Sequence, residues 1–189
     1  MSSEPVAPAI GALHSPRRRH LLFIAAAVVG AGALAGGIAL YQHAETAAPR
    51  DGSAVLALVL PDVDGRQQPL SQWRGKVLVV NFWATWCAPC REEIPILVTL
   101  QEKYRARGLQ LVGIAIDQRD KVEAFAREFK INYALLLGGL ETINVSRQIG
   151  NRLGALPYTA VLDRSGRIVS RQLGKVTDTE LERLVLLLL

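Results

Sequence analysis

The pattern of apolar and polar positions divides the chain into one long apolar segment near its start and, beyond it, short apolar runs alternating with helical periodicities. Leu21 to Leu40 holds twenty residues without a charged or strongly polar side chain, separated from Arg17-Arg18-Arg19 by His20 alone. A helix of that length rises about 30 Å, the hydrocarbon thickness of a bilayer. From Val55 onward the runs shorten. Val55 to Leu60 is apolar, Pro61 to Gly65 has turn composition, and a second short segment ends at Leu70, which predicts a hairpin. Val77 to Trp83 and Leu109 to Ile116 read as buried strands, and between them Ile94, Leu97, Leu100 and Tyr104 recur at helical spacing. Val122, Phe125, Ala126 and Phe129 mark an amphipathic helix, followed by a short strand at Ala134 to Leu137 and a helix at Glu141 to Ile149. Tyr158 to Leu162 and Arg167 to Leu173 are strands joined by the turn Asp163-Arg164-Ser165-Gly166. Thr177, with Glu180 three residues on, has capping-box spacing at the start of a last helix whose apolar face is Leu181, Leu184, Val185 and Leu188.

Strands alternating with helices, then a hairpin and a terminal helix, predict an α/β sheet covered on both faces. The expected organisation is a tail at 1–20, a transmembrane anchor at 21–41, a polar linker at 42–54 and one domain at 55–189. Arginine on the N-terminal flank of the anchor predicts that end in the cytoplasm and the domain outside. A signal peptide is the competing reading, disfavoured because a signal core usually runs to only ~7–15 residues.

Composition changes this picture in two places. Lys and Arg exceed Asp and Glu by 22 to 17, a net charge of +5, and no basic block stands out within the domain, so a nucleic-acid function is unsupported. His14, His20 and His43 all precede the domain. A Cys/His nucleophile pair, a His-ligated zinc site and a histidine base therefore lose their candidate there. What remains is Cys87 and Cys90, the only two cysteines, separated by Ala88-Pro89 where a buried strand gives way to a helix. Unpaired backbone N–H groups at a helix start favour a thiolate, so this spacing points to thiol–disulfide redox chemistry. A purely stabilising disulfide closing so small a loop would remove only ~2 kcal/mol of chain entropy. Two thiolates without histidine are also a poor metal ligand set.

Phe82-Trp83-Ala84-Thr85-Trp86-Cys87-Ala88-Pro89-Cys90 resembles the active-site signature of the thioredoxin superfamily, and its flanks are most similar to the membrane-anchored TlpA/ResA branch. The resemblance covers Val55 to Leu188. It implies a thioredoxin-like fold with a central αβ insertion around Val122 to Leu137, preceded by an N-terminal transmembrane helix. It further implies a protein disulfide oxidoreductase on the bacterial inner membrane, facing the periplasm, with no cofactor beyond the redox-active disulfide Cys87–Cys90. Cys87, nearer the helix start, is assigned the nucleophile and Cys90 the resolving thiol. Glu93, three residues after Cys90, matches a glutamate taken in that branch to affect thiol proton transfer and substrate recognition; a carboxylate there raises thiol pKa values and relays a proton. Pro157 matches a proline that is cis and faces the cysteines, and with Leu156 it would dock an extended substrate. Trp86 would shield the disulfide and join the substrate-binding rim. Asn81 departs from thioredoxin, which has a buried aspartate there. Asparagine cannot take the proton of the second cysteine, so that role passes to Glu93, to water or to the substrate thiol.

The expected direction is reduction of disulfides in specific exported proteins, apocytochromes c among them, with a membrane thiol donor restoring the dithiol. Two other functions stay open. A thiol peroxidase would need Pro at 80 and Thr at 84, where Val80 and Ala84 stand, and a copper-binding chaperone would use the cysteine pair as ligands.

Overall fold

A computed structural model of the protein describes Gly36, Gly37 and residues 50–189. The chain divides into two units, Met1–Ala47 and Ala48–Leu189. Gly36 and Gly37, in the first unit, are helical and exposed, and the rest of the expected span at 21–41 lies outside the described residues, as do the tail at 1–20 and the linker as far as residue 49. Among the described residues no helix is long and apolar enough to cross a membrane.

The second unit opens differently from the apolar run expected at Val55 to Leu60. Asp51 accepts hydrogen bonds from the Ser53 backbone at 2.9 Å and the Ser53 hydroxyl at 2.6 Å. This local capture winds Ser53–Leu56 into a single helical turn, α1. Only Val59–Pro61 is left as a strand, β1, and it pairs antiparallel with β2, Gln67–Pro69. The expected hairpin is therefore present but short. Its turn is organised by Asp62, which accepts bonds from the backbone N–H of Asp64 and Arg66 and from the Gln68 amide, with Gly65 at φ +87° closing it.

β3 (Val77–Trp83) is buried at all seven positions. It leads to helix α2 (Ala88–Tyr104), strand β4 (Leu109–Ala115), helix α3 (Arg119–Glu128), strand β5 (Ala134–Leu137) and helix α4 (Leu140–Gln148). Strands β6 (Tyr158–Leu162) and β7 (Ile168–Leu173) and helix α5 (Asp178–Leu188) complete the unit. The sheet order is β5-β4-β3-β6-β7; β3, β4 and β5 run parallel, while β6 and β7 are antiparallel additions. This is a thioredoxin-like arrangement in which α3 and β5 occupy the stretch expected to hold an αβ insertion.

Alternation along β3 explains the two-sided core. Val77, Val79 and Trp83 face a cluster built with α2, α3 and α5, whereas Leu78, Val80 and Phe82 face α1, the first hairpin and Ile149. Both faces being covered, the strand reads as one continuous apolar run. The β6–β7 turn repeats the aspartate device of the first hairpin: Asp163 accepts from the backbone N–H of Ser165 and Arg167, and Gly166 sits at φ +87°. The capping box expected at α5 does not form as such. Thr177 makes no side-chain bond to the helix backbone, because its hydroxyl donates instead to the Glu180 carboxylate at 2.8 Å, a charge-assisted bond.

Candidate active site

β3 ends at Trp83, and the turn that follows is tied to the end of the neighbouring strand. The backbone N–H of Thr85 donates to Asp117 at 3.1 Å, and the Thr85 hydroxyl donates to the same carboxylate oxygen. Partial burial works against charge on Asp117, but the bonds from Thr85 and from the Gln118 backbone outweigh it and hold the carboxyl below its ordinary range. Cys87 then serves as the residue before α2, its carbonyl accepting from the Arg91 N–H at 3.1 Å, and Pro89 lies in the first turn. Proline fits there because its missing N–H has no partner in a first turn.

Cys87 and Cys90 form a disulfide with an S–S distance of 2.06 Å and Cα atoms 5.3 Å apart. Cys87 is 6% exposed and Cys90 fully buried. Trp86 stands out from the surface at 69% exposure, immediately before Cys87. Directly after Cys90, Arg91 lies over the stacked rings of Phe125 and Phe129, 5.1 and 5.5 Å from their centroids, so α3 is fastened to the helix that carries the cysteines.

The Leu156–Pro157 peptide is cis. Phe82 pairs with Tyr158 across the β3–β6 ladder, so Pro157 adjoins the end of β3 from which the cysteine turn departs. Leu156, half-buried, packs against both core clusters. The loop before it is shaped by Asn151, a buried residue that sequence reasoning passed over. Its amide donates to Ala155 O at 2.9 Å and Ser146 Oγ at 3.1 Å, and its carbonyl accepts from Ala155 N at 3.2 Å.

Glu93 is fully buried. One carboxylate oxygen accepts from the Asn81 amide at 2.7 Å and the other from the Val176 backbone N–H at 2.9 Å. Burial pushes the carboxyl up, and the bonds from Val176 and Asn81, with the positive charge of Lys175, pull it only part of the way back, to about 7. A carboxyl so placed is divided between acid and base near neutral pH, the condition for proton transfer in either direction. The Asn81 amide also donates to Thr159 Oγ1 at 2.9 Å. The asparagine that departs from thioredoxin therefore holds a carboxylate that is one of the three candidates the sequence leaves for the proton role. Thr159, Val176 and Tyr133, whose hydroxyl is pushed up by burial and by the charge of Glu93, were not found from the sequence. Thr159 lies in the strand expected at Tyr158 to Leu162, but only its pairing with Asn81 across the sheet reveals its part.

The model of the redoxin family matches residues 46–185. The thiol-disulfide oxidoreductase ResA of Geobacillus kaustophilus is 29% identical over 133 residues, covering 70% of this chain and 74% of the relative. Its counterpart in Bacillus thuringiensis is 29% identical over 150 residues, covering 77% of this chain and 84% of the relative. Among solved structures, a thiol:disulfide interchange protein of the thioredoxin family from Chlorobium tepidum superposes with a TM-score of 0.64 at 30% identity, covering 69% of this chain and 92% of that one. A redox-ready cysteine pair on a thioredoxin-like sheet, matched over most of its length, makes this chain a member of the redoxin family and a TlpA/ResA-like thiol–disulfide oxidoreductase.

Proposed function

We propose that the enzyme reduces disulfides in exported proteins, working from the outer face of a bacterial inner membrane to which residues 21–41 tether it. In its dithiol form the Cys87 thiolate attacks one sulfur of a substrate disulfide, giving a mixed disulfide and a substrate thiolate that takes up a proton. Cys90 then yields its proton to Glu93 and attacks the Cys87 sulfur. The Cys87–Cys90 disulfide forms, the second substrate thiolate leaves and is protonated, and the substrate has gained the two electrons the enzyme lost. A membrane thiol donor returns the enzyme to its dithiol state. Leu156 and Pro157 receive the substrate backbone in extended form, and Trp86 supplies the apolar rim.

The observation that carries this reading is the buried Glu93 carboxyl, pinned by Asn81 and Val176 one helical turn beyond Cys90. Oxidants of this class stabilise their thiolates; a carboxylate in the same buried region opposes thiolate charge, which favours the disulfide and makes the dithiol a stronger reductant. Apocytochromes c awaiting haem are suitable substrates, since they present a paired-cysteine disulfide that must be opened before attachment. The test is the reduction potential of the Cys87–Cys90 couple together with trapping by Cys90→Ser. A potential near about −270 mV or lower and captured exported proteins are expected, while a potential near about −120 mV overturns the direction.

A further inference from the structure

Glu93 has no exposed surface, yet the proposed cycle requires it to gain and lose a proton each time the disulfide forms. The groups around it lead away from the cysteines. Across the sheet, Asn81 is paired with Thr159 and Thr159 with Gln172, which sets a polar row from the buried centre of the sheet to β7, where Gln172 is exposed. Within this row the Asn81 amide bonds both Glu93 and Thr159, and the buried Asn81 Oδ1 accepts no hydrogen bond. A buried acceptor without a partner is costly unless a donor such as water reaches it.

Beside the row, between β6, β7 and α5, lies a cavity of about 60 Å³ whose polar lining includes Thr159, Ser170, Gln172, Thr177 and Glu180. At about 30 Å³ per liquid water it has room for two or more. Thr159 and Val176 both line it, and these two also belong to the network that holds Glu93. The cavity and the hydrogen-bonded row therefore share Thr159, and the cavity reaches the groups that hold the carboxyl through Thr159 and Val176, between β6, β7 and α5.

We infer that this cavity is a water path through which Glu93 exchanges its proton with solvent, by way of Thr159 and Gln172. The inference rests on the proton role proposed for Glu93. Its functional sense follows from the geometry: a docked substrate covers the cysteine end of the sheet, and a proton leaving between β7 and α5 does not have to pass it. The charged and titratable groups facing the path are few. Glu180 lines the cavity from α5, Lys175 acts on Glu93 from the β7–α5 connection while paired with Glu92 at 2.8 Å, and Tyr133 faces Glu93 from before β5.

The test uses the full-length dithiol enzyme oxidised by glutathione disulfide in stopped flow, from pH 5 to 9, in H₂O and D₂O. Protonation of Glu93 is followed in parallel by the infrared carboxyl band that Glu93→Gln removes. Ser170→Leu fills the cavity and Thr159→Val deletes the hydroxyl. Both are expected to slow the oxidation at least tenfold and enlarge the solvent isotope effect while leaving the Glu93 midpoint in place, and Thr159→Ser is expected to restore the rate lost in Thr159→Val. If Thr159→Val does not fold, Ser170→Leu decides alone. Rates within twofold of the parent overturn the path, as does a slowing fully accounted for by a moved Glu93 midpoint. Failure of the underlying reading looks different: there Glu93→Gln itself leaves the pH profile unchanged.

Discussion

A single carboxyl sets much of the pH behaviour expected of this enzyme. Burial raises Glu93 from an ordinary 4.5 to about 7, so between those values the folded chain holds a proton that the unfolded chain has released. Stability contributed by that proton is present in full below about pH 4.5 and is lost as pH rises through about 7, a change on the order of 3 kcal/mol. Urea denaturation of the oxidised protein should show this decline, and Glu93→Gln should flatten it. The glutamine should stay within about 1–2 kcal/mol of the parent at low pH, because its amide meets two donors, Asn81 and the Val176 N–H, and can accept from only one well. A parent curve without slope between pH 5 and 7 would contradict the account. Helical spacing from Cys90, together with the match to a glutamate of the TlpA/ResA branch, singled out Glu93 in the sequence. Its burial was not legible, because Val176, which bonds it directly, lies 83 residues further along the chain, and Thr159 lies 78 residues beyond the Asn81 that joins it to the network.

At the level of elements, each functional segment is held by a side chain that belongs to a different one. The cysteine turn leans on Asp117 beyond β4, and the loop before Pro157 is folded around Asn151 beyond α4. Asn151→Ala removes three bonds from a buried site and leaves both the N–H and the carbonyl of Ala155 without those partners. The expected cost is ~1–3 kcal/mol in chemical denaturation. A rise in KM for protein disulfides that exceeds any fall in kcat is expected with it, since the docking loop is disturbed and the cysteines are not. An unchanged KM with lowered stability would separate Asn151 from substrate docking. Apolar periodicity identified α2 to α5 and the sheet strands because their core faces repeat at fixed spacing. It missed α1, where Asp51 and Ser53 decide the conformation by local hydrogen bonds and the apolar pattern of Val55 to Leu60 has no vote. The same competition undid the capping box at Thr177, whose hydroxyl had a carboxylate within reach.

On the scale of the whole molecule, the alternation of strands and helices sufficed to predict the class of fold, and the cysteine motif to predict the chemistry, because both are written in contiguous residues. The chain's division near residue 48 suggests a simple dissection. Residues 48–189 alone should reduce a small disulfide at a rate within about twofold of the full chain, and in cell fractionation they should be soluble, whereas the full chain should pellet with membranes. Recovery of the full chain in the soluble fraction would remove the tether from the proposal. One last property follows from the N-terminal stretch of this unit. Asp51 forms an antiparallel bridge to Arg167 beside the start of β7, and Asp62 forms one to Leu136 in β5, so residues ahead of β3 touch both outer strands of the sheet. Open strand margins invite pairing between copies of a protein, and here each margin is already engaged by an aspartate-bearing turn of the same chain. On each side the run of strand left open to pairing with another copy of the chain is thereby shortened.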